Sequence, residues 1–332
     1  MPKIIRWGIL GAGKIANKFA SDLRWVEDAE LRAIASHDKL KGQQFAQTHN
    51  VPIVYNSYEA LATSQEVDVV YVATPHGFHY EHTVLLLSHG KAVLCEKAFA
   101  LNSKQVADMV ELATRNRVFL MEAFWTKFIP QYEMVKAMIE RGDIGEIKFI
   151  QADFGFKAPT PLAQRLYDPL LGGGSLLDIG IYPVFFALAL LGKPVALNAL
   201  MTSYPTGVDE QIVVNMKFAN GALAVLSSTF AADTPTEALI AGTEGRIHMR
   251  NRFHNPVGHI EYVKGRDEAH PISVKKEEGF GYQYEARHVC ECLRKGLTQS
   301  PVFSLADSKL LMQTLDDIRQ AVGIRYAPDQ PN

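Results

Sequence analysis

The sequence predicts an α/β protein in two parts: an N-terminal doubly wound parallel sheet, and a C-terminal α+β domain built on a large, mainly antiparallel open sheet. Three observations predict it. Short apolar runs at 4–10, 31–36, 67–74, 92–96 and 118–121 alternate with helically spaced stretches such as 84–89 and 105–113, the pattern of βαβ units. Beyond about Ala123, longer alternating segments dominate, at 211–218, 222–230, 245–251, 259–263 and 272–275. Asn220-Gly221 joins the first two of these and signals a hairpin, because both residues accept positive φ. Finally, 332 residues exceed what one ordinary core holds. Helices are expected near 131–140 and 176–191. A last amphipathic helix near 306–322 can pack back on the first domain.

Composition excludes several function classes. A net charge of −2 gives no electrostatic argument for nucleic acid or an anionic membrane. No apolar run is expected to span a bilayer, and the N-terminus lacks the shape of a signal peptide. Cys95, Cys290 and Cys292 fit no common zinc or redox spacing. They read as free thiols of a reducing compartment, so a cytoplasmic location is expected.

The segment Gly8-Ile9-Leu10-Gly11-Ala12-Gly13-Lys14-Ile15-Ala16 carries a dinucleotide-binding fingerprint. Gly11 makes the tight turn after the strand, Gly13 admits the pyrophosphate to the backbone, and Ala16 allows close helix–strand packing. The phosphates then meet free N–H groups where a helix begins, at Lys14 and Ile15. The context, a strand before and a helix after, is that of a Rossmann domain. We therefore assign residues 1–123 to a dinucleotide-binding Rossmann domain and 124–332 to substrate binding and dimerisation. The second strand ends at Ser36-His37-Asp38-Lys39. NAD enzymes usually place a carboxylate there on the ribose 2′-hydroxyl. Ser36 and His37 instead suit a 2′-phosphate, so NADP is expected, with NAD possible if Asp38 turns inward. Ordinary solvated loop residues are the competing reading.

Glu96-Lys97 ends the fourth apolar run, on the sheet edge where ligands bind. Most lysines are simply surface residues. A lysine beside an oxidised nicotinamide is partly desolvated and faces a positive charge, which suits it to acid–base work. Asp178 and Tyr182 are four apart and would share a helix face, although Gly180 and Pro183 disturb that helix. Taken alone, Tyr182 reads better as a packed tyrosine. His76, His79 and His82 recur at a spacing of three. We assign no metal, because a lysine can handle the proton. Phe124, Trp125 and Phe128 can wall a substrate pocket or pack in a core. Arg165, Tyr167 and Asp168 lie on a loop that can reach substrate hydroxyls, with Arg165 the best of them and a surface salt bridge its alternative. His288, Cys290 and Cys292 read as packing residues of one amphipathic helix.

The chain resembles the glucose–fructose oxidoreductase/inositol dehydrogenase (Gfo/Idh/MocA) family along its whole length. The match rests on residues 8–16, on Ala73-Thr74-Pro75 followed by His79, on Gly90 to Lys97, and on Gly172 to Tyr182. Within the family it is most similar to the dimeric dihydrodiol dehydrogenase and NADP-dependent D-xylose dehydrogenase branch. Met121 to Thr126, Arg165 to Pro169, Tyr284 to His288 and Glu291 to Gly296 carry that closer match. The resemblance implies Lys97 as the acid–base residue, aided by Tyr182 and Asp178. It implies cofactor contacts from Thr74, Pro75, His79, Glu96 and Lys97, and a homodimer through the C-terminal sheet. Two departures stand out. Ala98 replaces the proline that usually follows Glu-Lys, and Tyr182 stands where many members have histidine.

The expected function is an NADP-dependent oxidoreductase. It transfers a hydride between nicotinamide and a hydroxyl or carbonyl carbon of a sugar, polyol or trans-dihydrodiol, with Lys97 and Tyr182 handling the proton. Trp125, Phe128 and Arg165 are the candidate substrate contacts. The alternative is a non-catalytic NADP(H)-binding sensor on the same fold. The joint presence of Lys97, Asp178 and Tyr182 argues against it.

Overall fold

Strand β1 (Ile5–Leu10) buries every residue but one, as a central parallel strand must. It opens a computed structural model that describes residues 3–159 and 164–329. The chain forms two units, Met1–Trp125 with Glu277–Lys309, and Thr126–Lys276 with Leu310–Asn332.

In the first unit β1 is followed by α1 (Lys14–Leu23), β2 (Ala29–Ala35), α2 (Lys39–His49), β3 (Ile53–Tyr55), α3 (Tyr58–Thr63), β4 (Val69–Val72), α4 (His79–Ser88), β5 (Ala92–Glu96), α5 (Ser103–Asn116) and β6 (Leu120–Ala123). The six strands pair in the order β3-β2-β1-β4-β5-β6, all parallel. This is the doubly wound order, which reverses between β1 and β4 and opens a crevice at the carboxyl ends of the strands. Two adjustments to the expected elements are physical. β3 has only three residues, all half-buried, too few for a strand period to show. β6 starts two residues later than expected, because Val118 closes the end of α5 by donating its N–H to Ala113 O.

The second unit contains α6 (Pro130–Glu140), β7 (Ile147–Gly155), α7 (Gln164–Tyr167), α8 (Ile181–Leu191), β8 (Pro194–Ser203), β9 (Asp209–Phe218), β10 (Leu223–Thr229), β11 (Ala238–Gly242), β12 (Gly245–Arg250), β13 (His259–Lys264) and β14 (His270–Ile272). Its eight strands run in the order β14-β13-β12-β11-β7-β10-β9-β8. All neighbours are antiparallel except β7 and β10. Inward positions alternate cleanly, as Ile212, Val214, Met216 and Phe218 on β9 show. The remaining helices, α9 (Tyr282–Arg294) and α10 (Leu305–Val322), follow the sheet.

The hairpin between β9 and β10 forms where Asn220-Gly221 signals it. Gly221 alone has positive φ (82°), and its N–H donates to Phe218 O at 2.9 Å. Phe218 N–H in turn donates to Ala222 O at 2.9 Å, so the loop spans three residues with glycine in the left-handed position. The expectation about apolar runs also needs correction. The stretch Pro169–Leu191 is long and apolar enough to cross a membrane, but 83% of its most apolar window is buried in the fold. It is a core helix.

Candidate active site

The first unit supplies a dinucleotide cradle. Gly11 (φ 100°) donates to Ala35 O, and a Cβ there would lie 3.0 Å from Ala73 O. Only glycine fits that turn. Gly13 differs: a Cβ would meet no protein atom closer than 3.8 Å. The fold itself does not demand glycine there, so the space suits a bound group. Gly13 caps α1 without a side-chain acceptor, and the first turn of α1, which begins with Lys14 and Ile15, holds no carboxylate. The amides at this end are therefore available to an anion. Ala16 is fully buried, as close packing requires.

Ser36 is buried directly beyond β2, and His37 and Lys39 are exposed. Asp38 turns to its own helix. Its Oδ1 accepts from Lys41 N at 3.1 Å as the N-cap of α2, and that amide holds the carboxyl below the usual carboxylate range. The His37 ring stands edge-on to Tyr58 at 4.0 Å, and Tyr58 edge-on to His82 at 4.6 Å. His82 Nδ1 lies 3.0 Å from Thr74 Oγ1. Burial, with His79 and His37 nearby, pushes His82 down to about 4, so it is neutral at pH 7.

His79 is fully buried and bridges two turns. Its Nε2 is 2.8 Å from Thr74 O, and its Nδ1 is 2.7 Å from Ala98 O. The Thr74–Pro75 turn after β4 is thereby tied to the residue after Lys97. The Lys97–Ala98 peptide is cis although proline is absent. Lys97 is half-buried at the end of β5. Its N–H donates to Glu96 Oε2 at 3.2 Å, while Glu96 Oε1 accepts from the Tyr71 hydroxyl. Behind this strand end, Glu122 Oε1 accepts from Phe99 N at 3.1 Å, and burial pushes Glu122 up to about 8. Trp125 stacks on Tyr282 at 4.8 Å. Phe124 is fully buried against Phe303 at 5.7 Å, so of the two readings offered for it the core one holds.

The second unit presents Asp178 and Tyr182. Residues Leu176–Gly180 form a π-helical turn that leads into α8. The wider turn precedes Pro183, which cannot donate back to Ile179. Asp178 Oδ2 pairs with Arg165 Nη2 at 3.1 Å, so Arg165 is engaged in an ion pair. Tyr167 is 3% exposed and stacks on Tyr204 at 3.8 Å, and Asp168 caps a turn through Leu170 N; both support the loop. Phe128 is half-buried. Tyr182 is buried beside His254 (ring centroids 4.8 Å apart) and Phe154 (5.8 Å), which stack on each other at 4.3 Å. Sequence reasoning missed both neighbours. They come from β7 and from the segment after β12, and no spacing links them to Tyr182.

Comparisons with known proteins agree with this fold. The model of the GFO/IDH/MocA oxidoreductase family, NAD-binding Rossmann fold, matches residues 5–124. The GFO/IDH/MocA C-terminal domain matches residues 132–248. The chain is 40% identical over 331 residues to the trans-1,2-dihydrobenzene-1,2-diol dehydrogenase of Xenopus tropicalis, covering 97% of this chain and 99% of that protein. The human protein of the same name is 35% identical over 335 residues, covering 98% and 99%. Among solved structures, a 3-ketoreductase from Actinomadura kijaniata in complex with NADP and TDP-benzene superposes with a TM-score of 0.86 at 27% identity, covering 96% of this chain and 98% of that one. An aldose-aldose oxidoreductase from Caulobacter crescentus shares the fold, with a TM-score of 0.89 at 23% identity and coverage of 97% and 98%.

Proposed function

Because the chain belongs to the Gfo/Idh/MocA family of oxidoreductases with an NAD-binding Rossmann fold, we propose that it is an NADP-dependent dehydrogenase acting on a CH–OH group of a trans-dihydrodiol, a polyol or a sugar such as D-xylose. One observation carries the reading: Lys97 stands half-buried at the carboxyl end of β5, on the sheet edge that also bears the Gly11–Gly13 cradle. The near full-length similarity to dihydrodiol dehydrogenases supports the substrate class. The NADP-bound 3-ketoreductase supports the cofactor.

Residues 1–123 hold the dinucleotide, and the region from 124 onward supplies the substrate contacts. The amides of Gly13, Lys14 and Ile15 receive the pyrophosphate beside Gly11. Ser36 and His37 face the 2′-phosphate. Thr74, Pro75, His79 and Glu96 shape the nicotinamide end. A bound nicotinamide supplies the two-electron acceptor or donor. Lys97 Nζ takes or returns the proton of the substrate hydroxyl, and the Tyr182 hydroxyl hydrogen-bonds the reacting oxygen. Asp178 orients substrate together with Arg165, and Trp125 and Phe128 wall the apolar side. The three cysteines are buried and free, which suits a cytoplasmic location.

A spectrophotometric screen of dihydrodiols, aldoses, polyols and α-dicarbonyls with NADP(H) and NAD(H) tests the reading. Turnover of at least one class is expected, whereas tight NADP(H) binding with no turnover across the panel would establish a sensor instead. In the same assay Tyr182→Phe should lower kcat/KM by about tenfold or more, the worth of one hydrogen bond to a charge-developing oxygen. Its thermal midpoint should stay close to wild type. Full activity with a large loss of stability would return Tyr182 to the core.

The outer face of the large sheet supports a homodimer. Leu200 is 80% exposed beside its strand partner Val213 at 44%, and Leu223 at 49% continues that face. Such a cluster favours association. Light scattering at micromolar concentration should give twice the 36.9 kDa chain mass, and Leu200→Lys should shift it toward the monomer. A monomeric wild type would rule the interface out.

A further inference from the structure

We propose that Asp209, the first residue of β9, is a positioning residue that holds the start of the Asp178–Tyr182 helix through its buried carboxylate; the assignment rests on the reading of that helix as catalytic. Asp209 is fully buried. Its Oδ2 accepts from Leu176 N at 2.6 Å and from Ser175 Oγ at 2.7 Å. These groups open the helix that carries Asp178 three residues after Ser175 and Tyr182 four residues later. A helix start has unpaired N–H donors and a positive dipole end. Ser175 stands at the N-cap of the π turn but makes no side-chain cap bond to it; its hydroxyl donates to Asp209. A carboxylate from 34 positions downstream does the capping instead.

The surroundings are shaped for that carboxylate. Gly174 (φ 112°) leaves the space occupied by Asp209 Oδ1, which a Cβ would approach to 2.4 Å. Ser175 Oγ also lies 2.9 Å from Ser228 Oγ on β10. That same hydroxyl oxygen would be 2.6 Å from a Cβ at Gly180, so glycine at the far end of the π turn leaves room for Ser228. On the other side the Tyr326 hydroxyl donates to Gly173 O at 2.5 Å and fixes the glycine run.

Burial pushes the Asp209 carboxyl up to about 6, against the Ser175 hydroxyl and the backbone amides, which favour the ion. The titratable groups around it are few. The Tyr326 phenol is held protonated by burial, and behind it Arg319 is paired with Asp316 and Asp329. Asp178 on the helix is paired with Arg165. The hydroxyls of Ser175 and Ser228 complete the shell. Oδ2 is taken by two donors, and among the described residues Oδ1 has no hydrogen-bond partner. Protonation removes the charge from both bonds to the helix start, and charge-assisted bonds are about twice as strong as neutral ones. The sign for global stability is opposite. A folded-state value raised above 3.8 means that this group's contribution is full below 3.8 and is lost as pH rises through 6. Neutralising Asp209 should therefore weaken catalysis without weakening the fold.

The test compares wild type, Asp209→Asn and Ser175→Ala across pH 5–9. In the wild type kcat should fall on the acid side near pH 6. Asp209→Asn mimics the protonated acid. Its kcat at pH 8 should drop by about tenfold, with the acid limb gone and the thermal midpoint at pH 8 equal to or above wild type. Ser175→Ala removes one donor to the carboxylate, so its acid limb should move upward by about one pH unit, and it keeps the test open should the asparagine variant fold poorly. A Ser175→Ala limb that does not move overturns the assignment, as does an Asp209→Asn kcat equal to wild type. Tyr182→Phe measured in parallel separates the two readings. Lost turnover there with an unmoved Ser175→Ala limb overturns the role of Asp209 alone. Unchanged turnover in Tyr182→Phe overturns the catalytic reading on which it rests.

Discussion

Lys97→Met should lower kcat by about 10²–10⁴-fold, the usual worth of a general acid–base group. Methionine keeps the length and apolar stem of lysine and deletes the ammonium. The geometry predicts that little else changes. The backbone at Lys97 is held from both sides: its own N–H bonds Glu96 Oε2, and Ala98 O meets His79 Nδ1. These bonds hold the backbone whatever side chain stands at 97. The dissociation constant for NADPH and the thermal midpoint should therefore stay near wild type, while single-turnover reduction slows by the same factor as kcat. A variant with unaltered kcat would remove Lys97 from the chemistry and mark it as a surface lysine.

The second large effect concerns cofactor choice. Wild type should bind NADP about ten- to a hundredfold tighter than NAD. The gain is one charge-assisted bond to the 2′-phosphate, about 1.5–3 kcal/mol, converted at about 1.4 kcal/mol per decade. Ser36→Asp should reverse that order. A carboxylate at the end of β2 repels the phosphate and accepts from the ribose hydroxyls of NAD. The structure sharpens this expectation, because the native carboxylate nearby is otherwise engaged: Asp38 caps α2 through Lys41 N. Fluorescence titration with both cofactors decides it. If the wild type holds NAD as tightly as NADP, the Ser36 argument is wrong.

Much of the first unit was legible because its signals are local. An apolar strand followed by Gly11 defines a turn that few other residues can make. Glu96-Lys97 inherits its place from the strand before it. β3 was not legible, since three half-buried residues produce no period. β7 was hidden for a different reason. It is the central strand of the large sheet, yet Asp153 interrupts its apolar pattern, and that carboxylate is satisfied by Thr236 N and Glu237 N from far along the chain. β8 was missed because it is an edge strand with apolar residues on both faces, Leu197 and Met201 half-buried and Val195 and Leu200 exposed, so no alternation shows. At the candidate site, the residue types of Lys97, Asp178 and Tyr182 were readable, and their partners were not. Arg165 on Asp178, His254 beside Tyr182 and Asp209 at the helix start are long-range contacts. Spacing along the chain encodes none of them.

The first unit is assembled from two separate stretches of chain, and this has a consequence for biosynthesis. Residues 1–125 contain all six parallel strands, but several of their groups bond or pack against residues 277–309. Asp22 accepts from Phe280 N, Gly281 N and Tyr282 N. Arg294 bonds Lys3 O and Asp28 O, Leu120 donates to Thr298 O, and Phe124 packs on Phe303. About 150 further residues leave the ribosome before the second stretch begins. At 5–20 residues per second that is on the order of ten to thirty seconds. Throughout that interval the nascent parallel sheet has an uncovered α1 flank and an unfinished edge at β6. The large sheet, encoded in between, is free to form first. An order of synthesis that starts with the cofactor domain thus need not be the order in which the protein becomes native. The nascent first half is the stage most exposed to mispairing.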